Sequence, residues 1–149
     1  MKRFHVHVTV ENVPDAIPFY AALFDTEPSV VKGDYAKWML DEPRVNFAIS
    51  RRGKRALGLD HMGIQVDSEA ELEGVAARLS SAGAATRDQR GAVCCYAKSE
   101  KTWVHDPQGI AWETFWTHGE ATTYGEDGRA AATPAKSEAC CAPGPSQAA

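Results

Sequence analysis

The chain contains no long hydrophobic run, since none of its apolar stretches approaches the ~18 residues that suggest a membrane-spanning helix. Its first residues lead directly into an alternating segment and lack the apolar region of a signal peptide. Basic residues are not in excess either, because the net charge is -4, whereas nucleic acids and membrane surfaces attract basic proteins. These absences favour a cytoplasmic protein that acts on a small molecule, with neither a nucleic acid nor a membrane as partner.

Cysteine is scarce, and its four residues form two adjacent pairs, Cys94–Cys95 and Cys140–Cys141. Secreted disulfide scaffolds usually space their cysteines so that the bridges join separate loops. Adjacent cysteines bridge each other only with backbone distortion, so we expect free thiols in a reducing compartment. The 149 residues, 44% hydrophobic and 24% charged, have the size and composition of one ordinary globular domain.

One order of predicted elements occurs twice along the chain. The first copy has a strand at residues 4–10, a helix at about 14–24 and strands near 29–32, 36–40 and 45–49. The second has a strand at 59–66, a helix capped by Ser68 and Glu71 that ends near Ala82, and strands near 85–86, 93–97, 102–104 and 110–116. A shift of 56 residues places His5 on His61. We therefore predict an α+β fold of two βαβββ modules, residues 1–55 and 56–116, whose paired curved sheets enclose a cavity.

Residues 117–149 differ from the rest in being rich in Ala, Gly, Thr, Ser and Pro, without periodicity. This composition predicts a flexible C-terminal tail, which carries Cys140 and Cys141. The pair could capture a thiophilic ligand and pass it on, or it could be dispensable.

Two histidines and one carboxylate have the composition of a metal site. By strand alternation His5 and His61 lie opposite the apolar faces of equivalent strands, and Glu113 lies on the last strand of the second module. Two His and one carboxylate with open positions are typical of non-heme Fe(II) oxygenases, although Mn(II), Ni(II) and Co(II) can fit similar sites. His7 shares the face of His5 and could replace it as a ligand, or steer substrate or a proton beside the metal. Otherwise these residues would be ordinary polar groups on a solvated sheet face.

Several motifs resemble the glyoxalase/bleomycin resistance/extradiol dioxygenase superfamily, which has the vicinal oxygen chelate fold. They are His5 with Val10, residues 14–15 and 19–20, the segment 59–64 (LDHMGI) and the Asp-Pro-x-Gly turn and strand of 106–113 (DPQGIAWE). The resemblance covers about residues 3–116 and implies a metal on His5, His61 and Glu113. Metal-dependent glyoxalase I takes a further carboxylate from its first module, but the repeat places Ala48 there, which favours the dioxygenase branch.

Within this superfamily the chain is similar to the ArsI/CadI group, which includes organoarsenical C–As lyases. The similarity lies in residues 34–40 (DYAKWML), 44–50 (RVNFAIS), 94–97 (CCYA) and the pair at 140–141. It implies Fe(II)- and O2-dependent cleavage of the carbon–arsenic bond of trivalent organoarsenicals in arsenic detoxification. Methylarsonous acid would give arsenite, and aromatic arsenicals are further candidate substrates.

The cysteines suit that chemistry, because trivalent arsenic is soft and prefers thiolate ligands. Cys94 and Cys95 could occupy the two exchangeable positions of a monosubstituted arsenic. They would point to opposite faces of a regular strand, so chelation requires a turn or bulge. Gly91 makes a bent, mobile loop plausible, and such a loop could close over the metal. Tyr96 and Lys98 lie near the thiols and could orient the substrate, or could be surface residues.

Two other functions use parts of the same pattern. An extradiol dioxygenase or a glyoxalase-like lyase acting on a carbon substrate would not need the adjacent cysteines. A protein that sequesters cadmium or arsenic would need the thiols but no iron. Because both modules lie in one chain, a monomer and a homodimer are both compatible with the sequence.

Overall fold

The computed structural model describes residues 1–51, 53 and 55–125, and both halves have the βαβββ order predicted for the modules. The first half contains β1 (Arg3–Thr9), α1 (Val13–Phe24), β2 (Val30–Lys32), β3 (Tyr35–Asp41) and β4 (Arg44–Ser50). The second contains β5 (Gly58–Val66), α2 (Glu69–Ser81), β6 (Arg87–Cys94), β7 (Ala97–His105) and β8 (Ala111–Glu120). Among the described residues, no helix has the length and apolar character needed to cross a membrane.

The strands form one continuous mixed sheet in the order β2-β3-β4-β1-β5-β8-β7-β6. The halves join at its centre, where β1 and β5 pair antiparallel, and each of these strands pairs in parallel with the last strand of its own half. His5 is opposite Gly63, and His7 is opposite His61. The shift of 56 residues takes His5 to His61 and His7 to Gly63, so the two pairs are equivalent. The modules are therefore related by a local two-fold axis between β1 and β5.

Side-chain caps fix where both helices begin. Asn12 accepts a hydrogen bond from the backbone N–H of Asp15 and begins α1. Ser68 accepts from the backbone N–H of Glu71 and begins α2, as predicted. The Glu71 carboxylate accepts from the backbone N–H of Asp67 at 3.0 Å, one residue before the cap, so the capping box is shifted by one position.

The first half buries an apolar core between α1 and one face of the sheet. Its buried members are Val13, Ala36, Trp38, Phe47 and Ile49, and Val6 and Val8 of β1 pack against them. Strand alternation then turns His5 and His7 to the opposite face, where both are buried. The apolar core therefore fixes the strand that carries the two histidines.

The end of the second half corrects the predicted boundaries. Three long strands replace the four short ones, and the predicted strand at 93–97 is interrupted by a hairpin turn between β6 and β7. The predicted domain end at residue 116 lies inside β8, because this strand pairs with β7 as far as Glu120. Gly125 then forms a β-bridge with Cys94. Residues 126–149, including Cys140 and Cys141, lie outside the described residues.

Candidate metal and thiol site

Both halves of the sheet line one cavity with a volume of about 40 Å³. Strands near both ends of the sheet, β3 and β6, line this cavity, so the sheet curls around it. We call it the inner cavity. The predicted triad and the predicted thiols all line it. The lining residues used below are His5, His7, Tyr35, Lys37, Asn46, His61, Cys94, Cys95, Lys101, Glu113 and Phe115.

The three predicted metal ligands converge. His5 Nε2 lies 3.2 Å from His61 Nε2, and Glu113 Oε2 lies 3.7 Å and 3.4 Å from these two nitrogens. Ligands bound at about 2.1 Å and at right angles are separated by roughly 3 Å. The donor set therefore fits one divalent cation with all three protein ligands on the same side of it.

Partners behind the histidines orient the two rings. The Nδ1 atom of His5 lies 2.9 Å from the carbonyl oxygen of Asn46, to which it donates when it carries the proton. The Nδ1 atom of His61 lies 2.6 Å from Asp60 Oδ1, and Arg55 holds the other oxygen of Asp60 at 2.9 Å. Both arrangements favour the tautomer that leaves Nε2 free to ligate, as in the carboxylate–histidine pairs of metal sites.

The charges around the histidines differ. Burial, with the neighbouring His61, lowers the pKa of His5 to about 4, so the imidazole is neutral and able to ligate near pH 7. Burial also acts to lower the pKa of His61, but Asp60 and Glu113 outweigh it, and the net pKa is raised. A metal ion would displace the proton that these carboxylates favour.

Lys101 is a buried residue of the site that the sequence analysis missed. Its Nζ lies 2.6 Å from Glu113 Oε1. Burial would raise the pKa of Glu113, but Lys101 and His61 hold it well below its usual range. Lys101 thus occupies one carboxylate oxygen and leaves Oε2 facing the histidines, an arrangement that favours monodentate ligation. The available signal was alternation, because Ser99, Lys101 and Trp103 share the inward face of β7.

His7 offers a second way to complete a metal site. One ring nitrogen from each of His5, His7 and His61 lies within 4.8 Å of the others. However, His7 Nε2 lies 2.7 Å from the Ser50 hydroxyl, and this hydrogen bond competes with ligation by that nitrogen. His5 and His61 therefore belong to both donor sets, and the third ligand is either Glu113 or His7. The geometry favours Glu113.

Separate replacement of His5 and His7 distinguishes these two donor sets. His5→Ala should weaken Co(II) binding by about 100-fold or more, because a direct ligand is lost, whereas His7→Ala should weaken it by less than about tenfold. Equilibrium dialysis with metal analysis measures both values. A loss at His7→Ala as large as that at His5→Ala would indicate the three-histidine set instead.

Ala48 occupies the position that corresponds to Glu113 in the first half. It is fully buried and lies opposite His7 in the β1–β4 pair, as Glu113 lies opposite Gly63 in the β5–β8 pair. Alanine has no donor atom, so the first module adds no carboxylate here. At this register position only the second module provides a carboxylate.

Gly63 fixes the distance between β5 and the strand that carries Glu113. A Cβ atom at this position would collide with the backbone carbonyl oxygen of Glu113 at 2.0 Å. Gly63→Ala should therefore displace β8 and lower the free energy of unfolding by about 1–3 kcal/mol, the usual cost of overpacking. Denaturant unfolding measures this change. Gly33→Ala is the control, since a Cβ there meets nothing within 4 Å.

The two predicted thiols lie at the tip of the β6–β7 hairpin. Cys95 and Tyr96 have φ values of 58° and 61°, and Cys94 pairs with Ala97, which gives a two-residue turn with both central residues left-handed. The turn that chelation required is therefore present, and it places the two Sγ atoms 3.0 Å apart. Asn and Gly usually occupy such positions, so a cysteine and a tyrosine with positive φ indicate local backbone strain.

The chain after β8 holds this hairpin from outside. The backbone N–H of Cys95 donates to the carbonyl of Tyr124 at 2.6 Å, and that of Ala121 donates to the carbonyl of Tyr96 at 2.9 Å. The Cys95 thiol also lies 3.6 Å from the Tyr124 hydroxyl. Cys94 is buried and Cys95 is partly exposed, so only Cys95 presents its side chain to solvent.

The other two residues predicted near the thiols lie outside the inner cavity. The Tyr96 hydroxyl donates to Asp34 at 2.7 Å, across the gap between the two halves. Lys98 is exposed and lies against Gly119. Of the two alternatives left open for Lys98, the structure favours a surface position, because alternation along β7 turns Ala97 and Ser99 inward and Lys98 outward.

Comparison with known proteins gives one consistent set of similarities. A sequence model of the Glyoxalase/Bleomycin resistance protein/Dioxygenase superfamily matches residues 2–114. The trivalent organoarsenical cleaving enzyme of Bacillus sp. (strain MD1) is 41% identical over 78% of this chain and 74% of its own. The enzyme of the same name from Thermomonospora curvata is 34% identical over 96% and 90%. The cadmium-induced protein CadI of Mycobacterium tuberculosis is 31% identical over 87% and 85%.

Solved structures agree on the fold. Homoprotocatechuate 2,3-dioxygenase from Arthrobacter globiformis superposes with a TM-score of 0.59 and 15% identity, over 80% of this chain and 37% of its own. The Mn(II)-bound glyoxalase from Novosphingobium aromaticivorans superposes with a TM-score of 0.57 and 17% identity, over 81% and 42%. At this identity the likeness concerns the fold alone.

Proposed function

We propose that this chain, which belongs to the Glyoxalase/Bleomycin resistance protein/Dioxygenase superfamily, cleaves the carbon–arsenic bond of trivalent organoarsenicals. Methylarsonous acid would be the substrate and arsenite the product, because the small inner cavity favours the methylated arsenicals over the aromatic ones. The observation that carries the proposal is that the donor set and two adjacent thiols line one cavity. The names of the relatives with 41% and 34% identity support the same reaction.

The thiol pair supplies the selectivity for arsenic in this proposal. Two thiolates bind the two exchangeable positions of a monosubstituted trivalent arsenic and leave its carbon substituent free. Cys94 and Cys95 are held side by side by the hairpin turn, so little freedom is lost when both bind one atom. The inner cavity of about 40 Å³ has room for roughly three water molecules, which suits a methylated arsenic atom.

The donor set supplies the redox centre. Two histidines and a carboxylate suit Fe(II), with Ni(II), Co(II) or Mn(II) as substitutes. When bound, Fe(II) supplies the activation of O2, the co-substrate. Asn46 and Asp60 orient the histidine rings, and Lys101 holds the carboxylate of Glu113.

Other residues place the substrate and limit the access of water. The thiols direct the carbon substituent of arsenic toward the histidines. Tyr35 and Phe115 are buried walls of the inner cavity and exclude water from it.

Sequestration of a soft metal is the second candidate function. The similarity to a cadmium-induced protein and the partial exposure of Cys95 favour it. A sequestering protein would use the thiols alone. It would leave the buried triad, with its oriented rings and paired carboxylate, without a role, and for this reason we favour the lyase.

Arsenic speciation tests the proposal. The protein is loaded with Fe(II) without oxygen, methylarsonous acid is added, air is admitted, and the arsenic species are separated and counted. Arsenite should form only when protein, Fe(II) and O2 are all present. Unchanged methylarsenical bound to the protein would indicate sequestration. Neither binding nor turnover would indicate an extradiol dioxygenase or glyoxalase-like enzyme acting on a carbon substrate.

A further inference from the structure

A second and larger cavity adjoins the inner cavity on the outer side of the thiol hairpin. Its volume is about 440 Å³, and we call it the outer cavity. Four residues line both cavities, which places the two spaces next to each other: Lys37, Cys95, Ala97 and Thr117. The hairpin tip is therefore the wall between the inner cavity and the outside.

The two thiols differ in which cavity they face. Cys95 lines both cavities, whereas Cys94 is buried and lines only the inner one. A ligand that arrives through the outer cavity therefore meets Cys95 first. Cys94 becomes the partner once the ligand has moved past the hairpin.

The sizes of the cavities set what can pass. The inner cavity, with about 40 Å³, cannot hold a molecule of more than a few heavy atoms. The outer cavity, with about 440 Å³, is within the range of pockets that bind organic ligands of a few hundred daltons. A bulky carrier of the arsenical group could occupy only the outer cavity.

The charges of the outer cavity suit an acidic carrier that also has an amino group. Two lysines, Lys32 and Lys37, line it together with the carboxylate of Glu120. The Lys32 ammonium lies 5.4 Å from the centre of the Tyr96 ring, which forms part of the same wall. Lys37 is half-buried, and burial lowers its pKa while Cys95 and Glu120 act to raise it. An ammonium held in this way is short of water and gains from a carboxylate ligand.

We propose that the outer cavity binds a small acidic peptide thiol that carries the arsenical, and that the thiol is exchanged for Cys95 and then Cys94. The carboxylates of the carrier contact Lys32 and Lys37, and its amino group faces Glu120. This inference rests on the proposed function for the identity of the cargo.

In each exchange step one sulfur–arsenic bond replaces another. The Cys95 thiolate forms a sulfur–arsenic bond while one carrier sulfur–arsenic bond breaks, and the departing carrier thiolate takes the proton that Cys95 released. Cys94 then displaces the second carrier thiol in the same way. No electrons are transferred, and arsenic stays trivalent throughout.

Arsenic transfer in the absence of oxygen measures this process apart from turnover. The probes are the methylarsenical adduct of two glutathione molecules, one of which would occupy the outer cavity while the other extends into solvent, and the adduct of glutathione diethyl ester, which has a similar size but no carboxylates. Rapid mixing, followed by separation of protein-bound arsenic, gives the transfer rates. The acidic carrier should transfer about tenfold faster, because opposite charges raise association rates. Salt should reduce the difference.

Lysine variants locate the effect. Lys32→Gln and Lys37→Gln should each lower the preference for the acidic carrier, and the double variant should bring the two rates within about twofold. Lys2→Gln, at an exposed lysine before β1, is the matched control and should keep the full preference. Equal rates for both carriers in the unmodified protein, or a preference that survives in the double variant, would overturn the inference.

Admitting air afterwards separates this inference from the proposed function. Equal transfer from both carriers, followed by arsenite formation, would support the lyase and contradict the carrier site. Preferential transfer without arsenite formation would support the carrier site and contradict the lyase.

Discussion

Glu113→Gln should remove the metal and lower turnover by about a thousandfold or more, because the anionic ligand that supplies several kcal/mol of stabilisation is lost. The variant also leaves the buried ammonium of Lys101 without its counter-charge. Breaking a buried ion pair from one side costs about 3–5 kcal/mol, so the free energy of unfolding should fall as well. Metal analysis after dialysis, arsenite formation and denaturant unfolding measure the three effects.

Two further variants separate the metal effect from the loss of stability. Glu113→Asp keeps a negative charge beside Lys101 but withdraws the oxygen that faces the histidines, so metal binding should fall while most of the stability returns. Glu73→Gln, at an exposed position of α2, removes the same charge elsewhere and should change neither property. Full metal content in Glu113→Gln would contradict the proposed ligand set.

Cys94→Ser and Cys95→Ser should each weaken capture of methylarsonous acid by about 100-fold or more, because one of two sulfur–arsenic bonds is lost and oxygen is a poor ligand for a soft centre. Turnover at low substrate should fall with it. The metal should remain, since neither thiol belongs to the triad. Protein-bound arsenic, metal content and arsenite formation are measured on the same samples.

The two thiol variants should differ in one respect. Cys95 is partly exposed and Cys94 is buried, so Cys95→Ser should also slow the first step of capture, whereas Cys94→Ser should leave that step fast and the complex weak. Full turnover by both variants would contradict the role assigned to the thiol pair. Loss of the metal in either variant would indicate that the substitution acts through the fold.

The repeat and the two histidines could be predicted from the sequence because alternation and a fixed shift are local patterns. His5 and His61 face the same cavity because equivalent strands pair about the local two-fold axis. The choice between Glu113 and His7 as the third ligand depends on Ser50, which lies 43 residues from His7 in sequence. No local pattern contains that contact.

The predictions failed where strand pairing overrides composition. Lys101 lies in a strand with polar neighbours, a pattern typical of a solvated face. It is nevertheless buried in the cavity, because its ammonium forms an ion pair with Glu113 of the neighbouring strand. Residues 117–120 lack apolar character but extend β8, because β7 offers them backbone partners as far as Ala97. The turn at Cys95 and Tyr96 carries no glycine or asparagine, so no turn signal marked the end of β6.

The central claim is that arsenic on the thiols and the metal on the triad meet in one cavity, and the visible absorption of the Co(II)-loaded protein tests it most directly. Methylarsonous acid, added without oxygen, should bind one equivalent and change the Co(II) spectrum. In the Cys94→Ser/Cys95→Ser double variant the spectrum should stay unchanged at the same arsenical concentration. A spectrum that stays constant while one equivalent of arsenic binds, or one that changes equally in the double variant, would contradict the claim.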